Sequence, residues 1–587
     1  MARPLVYYAV SIFMGCFTFL MLINNPVLGA VIAASFLGVM HFTVNKNFFY
    51  LIVCFFIIGA LNYYSYFNIN LPSKPQIKVR ISDKSNYYCY AKSNNKKIIL
   101  EGNIFKLTEG RSVLVRGNFV KTPVYERGIV GTYRVVDYKI CSEDLLSKIE
   151  SLRGRLYQKF FVVLGKEKTA IVMAVCFGDA GYIEKTQKED FKKLGISHVI
   201  SVSGLHMSIV YKALEIIIGY KIAILCSFVY MIFTGGQAST IRAFIMIFIL
   251  KISSKVYKKY DSLSSLSLAA IILLLIRPFS ILDIGFMLSF LCVLGIILYN
   301  KKIKKVLYKL PSMINESFSL SISSQIFSLP YAAFALKTFS LGFLFSNLLL
   351  LPFYTVAVVL GNIGLVLSGF YELFNLINYG LYTVLTIIEF IEKILCVLLP
   401  EIVYFSYIDS LVVFGLYLCY LGIKSGYSRF KYVPFCIIFV FVFQNYSVFP
   451  QISYISVNKY DVVLVQYKKN AIAVTTGNIN ATDLKVPVKI DNIICGYLGD
   501  STINLGSRCI IRLISRGNKL EAQVCFLEEV NEKPNLDVIK DKSVFNNTDK
   551  VITGTKDITK LKKDETYTPS GTIINKYIFI GKKILKF

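Results

Sequence analysis

Long uninterrupted apolar runs constrain this chain more than any other feature. The clearest are Leu5–Ile23, Pro26–Val44, Phe48–Phe67, Ser262–Ile276, Ile281–Tyr299, Leu341–Leu367, Phe374–Leu399 and Val433–Val448. A helix needs about 20 apolar residues to cross a bilayer, and a crossing segment must satisfy its own backbone hydrogen bonds. Repeated runs of this length therefore read as membrane helices. Composition agrees: 55% of the 587 residues are hydrophobic and 17% charged, against about 25% charged in an ordinary soluble domain. The first run is followed at once by two more, which predicts a retained anchor rather than a cleaved signal peptide.

Charge is unevenly placed. The net charge is +29. Leu71–Lys148 holds 15 Lys/Arg against 7 Asp/Glu, and Gln451–Phe587 holds 21 against 14. These are the two long polar segments, and both are basic. Short loops rich in Lys and Arg stay in the cytoplasm. Arg3, Lys46, KISSKVYKKY from Lys251, NKKIKKVLYK from Asn300 and Lys424–Lys431 all read as inside. The N-terminus is then expected in the cytoplasm, with both basic segments outside.

Residues 71–148 alternate short β-type runs with turns: IKVRI, YYCYA, KIIL, RSVLVRGNFV and GTYRVVDYKI. About five strands punctuated by Gly and Asn predict a small OB-like β-barrel. Such barrels hold single strands on basic grooves with aromatic faces. The candidate contacts are Tyr87, Tyr88, Lys96, Lys97, Arg111 and Arg116. The same tyrosines would equally serve as core or strand residues. Thirteen cysteines are scattered without metal-ligand spacing. Cys89 and Cys141 stand alone in the first soluble segment, either bridged or as separate thiols. No metal site and no cofactor is expected. Ser151–Gly178 is helical in pattern. Gln451 opens a strand-like stretch, and Asp537–Pro569 reads as loosely ordered.

The polar residues inside the apolar region need an account. GISHVISVSGLHMSIV, from Gly195, holds two of the three histidines. Read as one helix, it places Ser201 and Ser208, seven apart, nearly in line, and His198 and His206 about 80° apart. One face is polar, and Gly204 with the serines lets a neighbouring helix approach. Ser203 fits either a packed interface or a path. Arg242, in TGGQASTIRAF, never loses its charge. It either marks a polar pathway or snorkels from a helix end. Asp283 is a helix cap or a path residue. Gln325 and Asn347 are further polar residues in apolar surroundings, each near a proline. A polar-lined conduit accommodates the whole set.

FGDAGYIEKTQKEDFKKLGISHVISVSGLHMSIV (Phe177–Val210) resembles the signature of ComEC, the bacterial competence DNA-uptake channel family: a GD pair, then GxSHxxxxSGLH. TGGQASTIRAFIM, RPFSILDIGFMLSFLCVLGI and SLPYAAFALKTFSLGFLFSNLLLLP resemble it in the same order, so the likeness covers Thr169–Pro352. The resemblance implies a polytopic α-helical membrane protein with an extracytoplasmic OB-like β-barrel domain and a small C-terminal extracytoplasmic β-rich domain. The expected divisions are residues 1–70 (membrane helices), 71–148 (barrel), 149–450 (channel), 451–536 and 537–587. It implies a permease for single-stranded DNA in a bacterial cell membrane, serving natural transformation. His198, Ser201, Ser203, Gly204, His206, Arg242, Asp283, Gln325 and Asn347 would line or shape the path. Beyond single-stranded DNA and the bilayer, the implied partners are a DNA receptor, a separate nuclease and a cytoplasmic helicase.

Many members of that family end in a metallo-β-lactamase-like domain. The stretch ISVNKYDVVLVQYKKNAIAVTTG resembles its opening, with Asp461 in place. Ser456 and Thr475 stand where the pattern has aspartates, however, and no histidine follows His206. Residues 451–536 are thus expected to be a degenerate remnant and 537–587 a polar tail, with no enzymatic activity. Two other functions compete. An intramembrane serine hydrolase would use Ser203 with His198 or His206 as base. A small-solute transporter is the other, and it has no need of basic outer domains.

Overall fold

The computed structural model describes residues 3–68, 76–84, 88–94, 96–104, 107, 110–141, 145–257, 259–400, 402–404, 407–445, 447–457, 460–468, 470–477, 479, 484, 490, 492–496, 500–504, 509–516, 519–526, 558–560, 573–580 and 583–586. They form two compact units. The first is Met1–Ser328 with Ser340–Glu401, and the second Leu329–Phe339 with Ile402–Phe587.

The first unit begins with α1 (Pro4–Asn24), α2 (Pro26–Thr43) and α3 (Lys46–Phe67). Proline at the start of α1 and α2 sits where an unpaired N–H is spared. Helices α1 and α3 touch through backbone: a side chain on Gly15 would strike the Phe56 carbonyl, and one on Gly59 the Ile12 carbonyl. Without a hydrophobic drive between helices in lipid, such close approach holds them together.

Next comes a closed barrel of β1 (Gln76–Lys84), β2 (Cys89–Ser93), β3 (Lys96–Gly102), β4 (Ser112–Val120) and β5 (Ile129–Ile140), in the order β1-β2-β3-β5-β4. All its pairs are antiparallel except β3 with β5. Alternation along the strands turns Val79, Ile81, Cys89, Ala91, Ile98, Leu100, Val113 and Val115 inward. The barrel rests on the helices. Tyr66 donates its hydroxyl to the Gly128 carbonyl at 3.0 Å, and Lys96 Nζ donates to the Tyr66 carbonyl at 2.7 Å.

The rest of the unit is helical: α4 (Leu145–Phe177), α5 (Lys185–Leu194), α6 (Ser197–Ile200), α7 (Gly204–Phe233), α8 (Ala238–Lys255), α9 (Ser262–Ile276), α10 (Ile284–Val306), the start of α11 (Ser312–Ala335), α12 (Phe343–Val366) and α13 (Tyr371–Leu398). Its core is built by α4, α5, α7, α12 and α13 around Phe160, Met173, Phe177, Leu194, Met207 and Leu350.

In the second unit, β6 (Thr338–Phe339) pairs with β7 (Val403–Tyr404), and α14 (Tyr407–Lys424) and α15 (Val433–Asn445) follow. Then come β8 (Ser447–Val457), β9 (Tyr460–Lys468), β10 (Asn470–Thr475), β11 (Asn492–Ile494), β12 (Asp500–Asn504), β13 (Cys509–Arg516), β14 (Lys519–Phe526), β15 (Ile558–Lys560), β16 (Ile573–Ile580) and β17 (Lys583–Lys586). They make a six-stranded sheet, β11-β10-β9-β8-β16-β17, and a four-stranded one, β12-β13-β14-β15. Tyr454, Val463 and Val465 of the first meet Ile511, Leu513 and Val524 of the second, as in a sandwich. Tyr454 Oη accepts the Ala522 N–H at 2.8 Å across the two sheets.

Among the described residues six helices are long and apolar enough to cross a membrane: Pro4–Asn24, Pro26–Thr43, Lys46–Phe67, Gly204–Phe233, Ile284–Val306 and Phe343–Gly369. Three of the apolar runs fare differently. Ser262–Ile276 is a helix of 15 residues. Val433–Val448 yields the 13-residue α15, which rises only about 20 Å. Phe374–Leu399 lies in α13, an amphipathic helix carrying Glu389, Glu392 and Lys393. Two divisions also change. Helices α14 and α15 group with the C-terminal strands rather than with residues 149–400. Nor is 537–587 merely a polar tail, because β16 fills the gap between β8 and β17.

Candidate nucleic-acid conduit and its cations

The SGLH stretch does not continue one helix. After α6 the chain is extended at Ser201, with ψ 133°, and α7 starts afresh at Gly204. Ser203 is the N-cap of α7, and His206 completes a capping box. Ser203 Oγ accepts the Leu205 N–H at 3.2 Å, and His206 Nδ1 accepts the Ser203 N–H at 2.8 Å. The polar face expected of a continuous helix is therefore replaced by a break that aims a helix N-terminus into the protein. The two side chains do meet, with Ser203 Oγ 3.1 Å from His206 Nδ1. That nitrogen's lone pair is already engaged by backbone, so it is not poised as a general base.

Arg242 lies one turn into α8 and is 6% exposed. Its guanidinium occupies the space beside Gly204, where a Cβ would collide with it. Glycine is needed there for close approach. Arg242 Nη1 donates to the Ser289 carbonyl of α10, while Nε has no partner. Among the described residues no carboxylate pairs with it. A buried unpaired cation is costly, and here it stands next to the partial positive charge of a helix N-terminus. Both favour one kind of visitor, an anion.

Ser201 and His198 keep exposed surface nearby, and Ser201 Oγ donates to Gln237 Oε1 at 2.8 Å. Ser239 Oγ donates to the Val202 carbonyl at 3.0 Å, tying the break to α8. Asn347 Nδ2 donates to Ser321 Oγ at 3.1 Å, and Gln325 Oε1 accepts from Ser328 Oγ at 3.1 Å. Among the described residues these two bond within the α11–α12 pair and not to the Arg242 group. Asp283 caps α10, its Oδ1 accepting the Phe286 N–H at 3.0 Å. The capping reading holds for it.

On the barrel, Tyr87 lies outside the described residues. Tyr88 stacks edge-on with Tyr90 at 5.3 Å. Arg111 and Arg116 are exposed. Lys96 and Lys97 stand at the helix junction: Lys96 donates to the Tyr66 carbonyl, and Lys97 Nζ lies 4.6 Å over the Phe279 ring. Burial is the main cause that holds both below the usual lysine range. Cys89 sits in the barrel core and Cys141 beyond the end of β5, and they are not bridged. Of the two alternatives, the structure holds them as separate thiols. In the second unit Ser456 and Asp461 face each other across β8 and β9, and Thr475 Oγ1 accepts the Gly477 N–H at 3.2 Å. Among the described residues no three His, Cys, Asp or Glu gather into a metal cluster.

Sequence reasoning missed Gln237 and Ser289. Both act through partners distant in sequence, which leave no local signal.

Fold and site together define a polytopic helical membrane protein with a small barrel and a buried, unpaired arginine at a broken helix. The family model described as "Competence protein" matches residues 175–425. Those residues are thus similar to a competence-protein domain. ComE operon protein 3 of Bacillus subtilis (strain 168) is 29% identical over 255 residues, 42% of this chain and 32% of that protein. An uncharacterised protein of Mycoplasma genitalium is 28% identical over 200 residues, 32% of this chain and 49% of that one. The chain thus spans about a third of the length of the first relative and half of the second. No solved structure matches.

Proposed function

We propose that this chain is a membrane conduit for single-stranded DNA taken up from outside a bacterial cell. The observation that carries the reading is Arg242, a buried guanidinium with no carboxylate partner among the described residues, beside the N-terminus of α7. A phosphodiester passing that point would satisfy both the charge and the helix end, and would leave again because no covalent or multidentate trap is built there. His198, Ser201, Ser203 and His206 shape the break that positions the arginine. Gln325 and Asn347 line a neighbouring polar seam. The barrel is read as OB-type, and with the C-terminal β unit it lies on the extracytoplasmic face, the N-terminus inside. Net positive charge on both then draws a polyanion toward the membrane.

The chain itself does not cut DNA in this reading. The C-terminal β unit, read as a degenerate metallo-β-lactamase-like remnant, has Ser456 and Thr475 where acidic ligands would be needed. A separate nuclease, a receptor and a helicase would then act beside it. The decisive measurement is uptake of labelled DNA in a strain lacking this protein, with and without the chain restored. Restored uptake is expected; a restored strain that takes up none overturns the reading. Cleavage of labelled DNA by the purified chain with Zn²⁺ or Mn²⁺, lost in Asp461→Asn, would revive a nuclease.

A further inference from the structure

Three cations stand in one cross-strand row on the outer face of the barrel. Arg80 of β1 is directly opposite Lys92 of β2, and Lys92 is directly opposite Lys97 of β3. Directly opposed residues share a face, since Val79, Ile81, Ala91 and Ile98 between them point inward. Like charges so placed repel one another. The row runs into the helices at Lys97, whose ammonium lies over Phe279, two residues after Arg277. Arg277 donates Nη1 to the Gly236 carbonyl at 3.1 Å, and Gln237 next along bonds Ser201. Lys92 is held below the usual lysine range by desolvation first, then by the charges of Arg277, Lys97 and Arg80. Among the described residues Asp283 is the carboxylate whose charge reaches Lys97. Cations thus outnumber acids in this corner.

We infer that Lys92, Lys97 and Arg277, flanked by Arg80, form an entry subsite for the phosphodiester backbone of a single strand, built jointly by the barrel and the membrane helices. The ligand chemistry is a run of phosphate oxyanions with unpaired bases. Tyr88 and Tyr90 favour a nucleic strand over a lipid headgroup. Tyr90 alternates outward with Lys92 along β2, and Tyr88, one residue before the strand, packs edge-on against Tyr90, so both rings lie beside the charges. Arg127 Nη1 donates to Tyr90 Oη at 2.9 Å, which fixes that ring and adds another cation. The row meets the membrane helices at Lys97, whose ammonium lies over the Phe279 ring. A strand bound on it would therefore be handed to Gly236, Gln237 and the break at Ser201 without leaving the protein.

This subsite rests on the proposed conduit, and the test separates the two. Anisotropy of a labelled oligothymidylate is measured on the detergent-solubilised full chain, across a salt series. Lys92→Gln with Lys97→Gln should weaken binding on the order of tenfold and flatten the salt dependence, as should Arg277→Gln. Lys92→Arg with Lys97→Arg keeps the charge and should retain binding, which excludes a folding defect. Equal affinity and salt slope in wild type and the Gln variants overturns the subsite while leaving the conduit to be judged by uptake through Arg242. Altered retention on anionic-lipid nanodiscs with unchanged oligothymidylate affinity would assign these cations to headgroups, again overturning it. A wild-type chain that binds no oligothymidylate at low salt removes subsite and conduit together.

Discussion

The protein keeps its cations in two opposite ways. Arg242 is single, buried and, among the described residues, without an acidic partner, and its position is enforced by Gly204 and the Ser289 carbonyl. The barrel row is plural and partly solvated, and its members repel one another. A buried lone charge acts at one point and is felt strongly, because little solvent screens it. A solvated row acts over a stretch and is felt weakly, because salt screens each member. The first suits a constriction that every passing phosphate meets. The second suits capture of a flexible polyanion.

Arg242→Gln gives the largest expected effect and the sharpest break of this comparison. Losing one partner of a desolvated charge pair costs about 2–5 kcal/mol, so uptake should fall by about two orders of magnitude with the protein still in the membrane. Normal uptake would make Arg242 a packing residue. Gly204→Ala comes next, because its methyl must displace the guanidinium. Overpacking of this kind costs about 1–3 kcal/mol, and both uptake and the unfolding midpoint should drop, by less than with Arg242→Gln. An unaffected variant would mean that the arginine has room to move.

Smaller effects separate the row from the rest of the barrel. Arg111→Gln with Arg116→Gln, on exposed positions away from the junction, should leave oligothymidylate affinity within a few-fold of wild type. Each phosphate contact actually lost would lower the log–log salt slope by about 0.7. A drop as large as that of the row variants would move the binding face to β4. The smallest effect has an inverted sign. Lys92→Gln removes like-charge repulsion worth about 0.2–1 kcal/mol, so the ligand-free protein should unfold at a slightly higher temperature at low salt, the gain fading as salt rises. A destabilised variant would show that Lys92 has an acidic partner after all.

How much of this was legible depended on the range of the interaction. Strand alternation in residues 76–140 exposed the barrel, because inward and outward residues differ by one step. The apolar runs exposed α1, α2, α3, α10 and α12. The broken start of α7 was hidden, since Ser201 and Ser203 are compatible with a helix and become a cap only where Gly204 is pressed against Arg242. Lys96 and Lys97 looked like surface cations, and only the fold brings Tyr66 and Phe279 beneath them. The last strands escaped for a similar reason. Residues 573–586 lack a strong pattern of their own and gain one from β8.

That pairing has a consequence for synthesis. Strand β8 ends at Val457, while its neighbour β16 begins at Ile573, so one side of β8 stays an open hydrogen-bonding edge until more than a hundred further residues have left the ribosome. During that interval the nascent sheet exposes an apolar strand able to pair with any other chain. Helices α1 and α3, separated in sequence by α2 alone, have no such wait. Quality control of newly made protein should therefore fall on the C-terminal unit, and a ribosome stalled before residue 573 would leave the membrane helices made and the sheet ready to aggregate.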